Sequence, residues 1–246
     1  MDKPEIPTVR LTASGRTWWD QLQRFSPETL DRLSHRIDVA TKRKALDAKT
    51  RQLIYLGVDA LVTHLYVEGL ELHIENALKS GASIEEIVET LQVASTVSSE
   101  GYGTMIAVLG DEFDRRGLYW PADGTSVEEV DSFRTKCRGA SRACPEWMDL
   151  ALKSCPDSAI AHLDCCYSPR TQSKLGAKLT GLIGAALASS PPIADGRATR
   201  RYVELALDND ATPAEVVEAV HLTSGLGAHA YSVGMPALAR VVERQK

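Results

Sequence analysis

Apolar and polar positions follow a helical period along most of this chain. In residues 70–89, Leu70, Ile74, Ala77 and Leu78 recur at i, i+4, i+7 and i+8, which predicts an amphipathic helix. Ile84, Ile87, Val88 and Leu91 predict the apolar stripe of a second helix. Between the two, Gly81 stands where a left-handed C-cap is wanted, and Ser83 with Glu86 has capping-box spacing. Asp47 to about Val62 is so apolar (Leu53, Ile54, Leu56, Val58, Leu61) that the helix it predicts must be buried on several sides. Further helices are predicted over Ser14–Phe25, from Pro27 to about Ala40, after Gly101 and Gly103 to about Arg116, and over Val127–Gly139. Residues 1–13 read as an extended arm, and the Lys42-Arg43-Lys44 run as a solvated linker. No segment alternates with period two, so the expected fold is all-α.

The pattern occurs twice. Shifted by 129 residues and without a gap, Glu75, Ala77, Leu78, Ala82, Glu86, Val88 and Glu89 fall on Glu204, Ala206, Leu207, Ala211, Glu215, Val217 and Glu218. The capping box returns as Thr212 and Glu215. The same register carries Trp18, Leu46, Lys49, Leu53, Ile54 and Tyr102 onto Trp147, Leu175, Lys178, Leu182, Ile183 and Tyr231. This reads as an internal duplication. Residues 14–116 form the first repeat, 117–142 the linker and 143–242 the second repeat. Two units that bury the same faces are expected to pack with pseudo-two-fold symmetry.

Composition narrows the function. Hydrophobic residues make up 43% of the 246, and the formal net charge is −5, with the charges scattered. No basic stripe tracks a phosphate backbone, so nucleic acid is not an expected partner. No apolar run is long enough to span a bilayer, and MDKPEIPTVR lacks the apolar region of a secretory signal. The five cysteines (Cys137, Cys144, Cys155, Cys165, Cys166) are odd in number, absent from the first half and not spaced as a zinc site. They read as reduced thiols in a cytoplasmic protein.

Two stretches resemble the carboxymuconolactone decarboxylase superfamily, which includes the AhpD-like alkylhydroperoxidases. One is Leu46-x-x-Lys49-x-x-x-Leu53-Ile54; the other is His73-x-x-x-Ala77-Leu78-x-x-Gly81-Ala82-Ser83-x-x-Glu86-Ile87-x-Glu89. The second copy resembles it through Leu182-Ile183, Ala206-Leu207, Ala211-Thr212-Pro213-x-Glu215 and Glu218. AhpD-like members carry C-x-x-C-x-x-x-H. Here the two thiol positions before His73 are Tyr66 and Gly69, and in the second copy they are Asp195 and Ala198, with Tyr202 in place of the histidine. Peroxide reduction by a thiolate and its resolving cysteine has no thiols to use there. The family's R-E-L glutamate is replaced by Gln52 in Arg51-Gln52-Leu53 and by Gly181 in the second copy. What remains, Glu71-Leu72-His73, resembles the lactone decarboxylase branch. That branch works on small carboxylated lactones without metal or organic cofactor, so the resemblance implies a small-molecule substrate, no cofactor and a homo-oligomer.

His73 is the first candidate for catalysis, because an imidazole takes and returns protons near neutral pH; its plain alternative is a core histidine. Glu100 and His229 occupy equivalent places in the two repeats and are candidates for a second acid/base group. Asp59, lodged among Val58, Ala60 and Leu61, is costly to bury alone and is expected to pair with His64 or His73, unless it is an exposed flank. Arg200 and Arg201 are candidates to fork a substrate carboxylate, and Tyr102 and Tyr231 to line the site or to pack. Whether His73 and His229, from different repeats, share a pocket is open. No metal is expected, since no HxxxH or HxxE pair sets two ligands on one helical face.

The expected function is that of a cofactor-free lyase (decarboxylase) or isomerase acting on a small carboxylated or lactone-like metabolite. The alternative is a non-catalytic ligand-binding or assembly protein on the same scaffold. Peroxidase chemistry through the adjacent Cys165 and Cys166 is disfavoured, because neighbours in sequence do not close an unstrained disulfide.

Overall fold

A computed structural model describes residues 18–120, 125–139, 145, 147–167 and 173–245. The expected N-terminal arm, the first residues of the helix over 14–25, part of the 117–142 linker and Cys144 lie outside them. The described residues are all-α, with no strand among them.

Two apolar helices meet at the centre: α3 (Ala48–Asp59) and α10 (Gly176–Ser189). Leu53, Ile54 and Leu56 of the first and Leu182, Ile183 and Leu187 of the second are sealed from solvent. Each such side chain contributes about 1.5–3 kcal/mol by leaving water. Helices α4 (Val67–Lys79) and α5 (Ile84–Ser98) pack on α3, while α11 (Gly196–Leu207) and α12 (Pro213–Leu222) pack on α10. The approach of α10 to α11 is close enough to require Gly181: a Cβ there would stand 2.5 Å from the Ala206 backbone nitrogen.

The turns form as their residues dictate. Gly81 adopts φ +88°, and both capping boxes are complete, Ser83 with Glu86 and Thr212 with Glu215. The two box glutamates also bind lysines on the central helices, Lys49 Nζ to Glu86 at 2.8 Å and Lys178 Nζ to Glu215 at 2.9 Å.

The two halves are tied crosswise. Glu89 of α5 accepts hydrogen bonds from the backbone N–H groups of Lys174 (3.0 Å) and Leu175 (3.1 Å), at the start of α10. Glu218 of α12 accepts from those of Ala45 (2.6 Å) and Leu46 (3.2 Å), at the start of α3. Every member of the second set stands 129 residues from its counterpart in the first. Glu218 is also paired with Arg51 at 2.5 Å.

The outer helices cross over as well. Helices α1 (Trp18–Phe25) and α2 (Pro27–Thr41) enclose Trp18, Leu22, Leu30 and Leu33 with Met235 of α13 (His229–Arg244). Helices α8 (Met148–Ser154) and α9 (Pro156–Tyr167) pack with α6 (Gly101–Arg116) and α7 (Val127–Gly139) around Trp147, Met148, Leu152 and Phe133. Thus α7, inside the expected linker, places Phe133 and Cys137 in a core. A 3-10 turn (Thr223–Ala228) joins α12 to α13 and presents His229 at the helix start.

The apolar stripe expected on α5 is displaced. Ile84 is 70% exposed and Val88 50% exposed. The inward face is instead Glu86, Ile87, Glu89, Thr90, Val93, Ala94 and Val97. Glu86 and Glu89 turn inward because their carboxylates accept backbone N–H groups, a pull that apolar periodicity does not register.

Candidate active site

The site grows from the last turn of α3. Gln52, Tyr55 and Asp59 are spaced i, i+3 and i+7, so all three side chains face α4. After Asp59 the chain folds back: the His64 N–H bonds to the Leu61 carbonyl (2.8 Å), Leu65 takes φ +43°, and the Tyr66 N–H returns to the Asp59 carbonyl (3.0 Å). Helix α4 then presents Gly69 and, one turn on, His73. The glycine is a steric requirement: a Cβ at 69 would stand 2.1 Å from Asp59 Oδ2.

His73 is held on two sides. Its Nδ1 lies 2.8 Å from Gln52 Oε1, and its ring stacks on Tyr55 with centroids 4.9 Å apart. An amide oxygen only accepts, so the contact places the ring proton on Nδ1 and leaves the Nε2 lone pair free. That Nε2 faces Asp59 Oδ2 at 3.8 Å. His229 arrives from the far end of the chain. Its Nδ1 lies 2.6 Å from His64 Nε2, the two rings are nearly parallel at 10°, and Tyr66 packs against it with centroids 4.4 Å apart. Asp59 Oδ1 is 3.6 Å from His64 Nε2 and 3.8 Å from His229 Nδ1. Asp59 is 1% exposed and its Oδ2 has no hydrogen-bond partner; the His73 side chain is 12% exposed, so the cluster reaches solvent at the imidazoles.

Burial disfavours charge throughout the cluster. It pushes the Asp59 carboxyl up to about 7. It pulls His73 down to about 4, aided by the nearby His229, and His229 down to about 4, aided by His64. His64 is lowered for the same reason. At neutral pH the imidazoles are therefore uncharged, able to accept a proton or bind a cation.

Residues 27–102, which hold the first-half side of this cluster, match the profile of the Carboxymuconolactone decarboxylase family. The fold matches a crystal structure from Burkholderia xenovorans LB400 described as a "putative gamma-carboxymuconolactone decarboxylase subunit". The identity is 27% and the TM-score 0.84, over 97% of this chain and 95% of that one. The chain is thus similar to that family over residues 27–102 and similar in fold to that structure. No curated protein matches it. No helix among the described residues is long and apolar enough to cross a membrane.

The candidates divide between two places. Asp59, His64, His73 and His229 meet at one. Glu100 lies elsewhere, buried at the start of α6, where it accepts from the Tyr167 hydroxyl at 2.7 Å and pairs with Arg201. Arg201 is therefore engaged by a carboxylate of its own chain rather than open to a substrate. Tyr102 packs edge-on against Trp147 at 5.5 Å and beside His162. Tyr231 packs against the Trp18 cluster. Arg200 is exposed and lines an open groove with Arg197, Thr104 and Asp195.

The pseudo-equivalent place in the second half is filled. Gly181, Gly184, Ala188, Ile193 and Tyr202 stand where the first half has Gln52, Tyr55, Asp59, His64 and His73. The Tyr202 ring lies so close to Gly184 that a Cβ there would meet it at 2.2 Å. Sequence reasoning missed Tyr55 and Gln52 as supports of His73; their shared helical face with Asp59 was the available signal. It also expected no metal, for want of a local ligand pair. Yet Asp59, His64 and His229 bring ligand atoms within 4.8 Å of one another through tertiary contacts.

Proposed function

We propose that this protein is a lyase or isomerase that moves protons on a small carboxylated or lactone-like metabolite, with His73 as the proton-transferring group and no organic cofactor. The observation that carries the reading is the clamping of His73. Gln52 fixes the tautomer, Tyr55 fixes the ring plane, and the free Nε2 points toward a buried carboxylate at the solvent-reaching edge of the cluster. A ring held so needs no reorganisation before it accepts or returns a proton. His229 and His64 extend the cluster on the far side of Asp59.

The test is a screen of carboxylated lactones, muconate-type acids and β-keto acids with the native chain, followed by His73→Gln on whatever is turned over. General acid/base catalysis by a positioned histidine is worth roughly 10²–10⁴-fold in kcat, and the variant should lose that much while keeping its native melting temperature. Undiminished turnover would refute the assignment. A panel giving thermal shifts but no turnover would move the reading to a ligand-binding protein.

A further inference from the structure

We infer that Asp59, His64 and His229 form a binding site for one divalent transition-metal ion per chain, of the class that prefers imidazole and carboxylate ligands, such as zinc or iron(II). The inference goes beyond the proposed function but lies at the same cluster; it does not need His73 to be reactive.

Three observations support it. First, Asp59 Oδ1, His64 Nε2 and His229 Nδ1 form a triangle with edges of 2.6, 3.6 and 3.8 Å. The point equidistant from these corners lies about 2.0 Å from each, the length of a zinc–nitrogen or zinc–oxygen bond. The shortest edge is a hydrogen-bond length; two nitrogens on one ion would open it to roughly 3 Å, a small rotation of either ring. Second, the donor set is two imidazoles and one carboxylate with no thiol, which suits zinc and iron(II) and leaves at least one position for water or a substrate oxygen. Third, Asp59 is buried with an oxygen lacking any hydrogen bond, and its three near neighbours are imidazoles. A buried carboxylate so placed wants a cation.

The surroundings agree with this assignment. The missing Cβ of Gly69 lets the carboxylate sit where it does. In the second half, Ala188, Ile193 and Glu100 stand at the three equivalent positions, and Glu100 is already occupied by Arg201 and Tyr167. Hence the expected stoichiometry is one ion, not two.

The experiment uses the full chain, stripped with a chelator and titrated with Zn(II) by calorimetry and with Co(II) by visible absorption. One ion per chain is expected, with ligand-field bands and no thiolate charge-transfer band. His64→Ala and His229→Ala should each weaken binding by about 100-fold or more, whereas His162→Ala, on α9, should not change it. Asp59→Asn provides a third variant if either alanine chain fails to fold. His73→Ala should still bind one ion, so a chain that binds metal but has lost turnover leaves this inference standing and tests the proposed function alone. Absence of stoichiometric binding, or binding indifferent to both His64→Ala and His229→Ala, would overturn it.

Discussion

Gly69→Ala should destabilise the protein and disarm the cluster at once. The added methyl would stand 2.1 Å from Asp59 Oδ2 and 2.5 and 2.8 Å from two carbons of the Tyr66 ring. Asp59 is buried and cannot retreat into solvent, so either its carboxylate leaves the three imidazoles or α4 lifts from α3. Overpacking of this kind costs about 1–3 kcal/mol, and the better helix propensity of alanine returns at most about 1 kcal/mol. With that offset in full the net loss is roughly 0–2 kcal/mol, or up to about 8 °C in melting temperature for a chain of this size. Gly234→Ala is the matched control, because a Cβ at this position in α13 meets nothing within 4 Å. That substitution should stabilise by up to about 1 kcal/mol. Denaturant titration of the two variants reads the sign directly, and metal titration of Gly69→Ala reads the displaced carboxylate. If both variants gained stability alike, Asp59 would not be seated against α4 and the geometry argued above would be wrong.

Other substitutions separate scaffold from site. Glu218→Ala removes the acceptor for the Ala45 and Leu46 N–H groups and leaves the Arg51 guanidinium without its carboxylate, so denaturation should show a loss of about 3–5 kcal/mol. Glu100→Gln should cost about 3 kcal/mol of stability by breaking its buried pair with Arg201, while turnover per folded molecule stays near native, since Glu100 is not in the His73 cluster. Among the described cysteines, brief alkylation followed by peptide mapping should label exposed Cys165 before half-buried Cys166, whose thiol burial pushes up, and before buried Cys137. Labelling Cys165 should leave turnover unchanged, in keeping with a site that contains no thiol.

Much of the fold could be read in advance because its determinants are local. Gly81, the Ser83–Glu86 box and its copy at Thr212–Glu215 act within one turn, and the structure places each as the spacing predicts. Ile84 and Val88 were misread because a competing force is non-local: Glu86 and Glu89 turn inward to meet Lys49 and the start of α10. The site divides the same way. Gln52, Tyr55, Asp59 and His73 share two adjoining helices, but His229 joins them from 165 positions beyond His64, and Glu100 leaves them for Tyr167 and Arg201. Helical periodicity does not say which of two equivalent residues crosses to which half.

Because Glu89 and Glu218 each serve the opening turn of the other half's central helix, neither half is self-sufficient. A chain severed near Gly117 should yield fragments that regain structure only when mixed, and the intact polypeptide should melt in one step. The same mutual dependence means that the second half, whose equivalent pocket is filled by Tyr202, cannot be discarded: its Glu218 carboxylate anchors the start of the helix that carries Asp59.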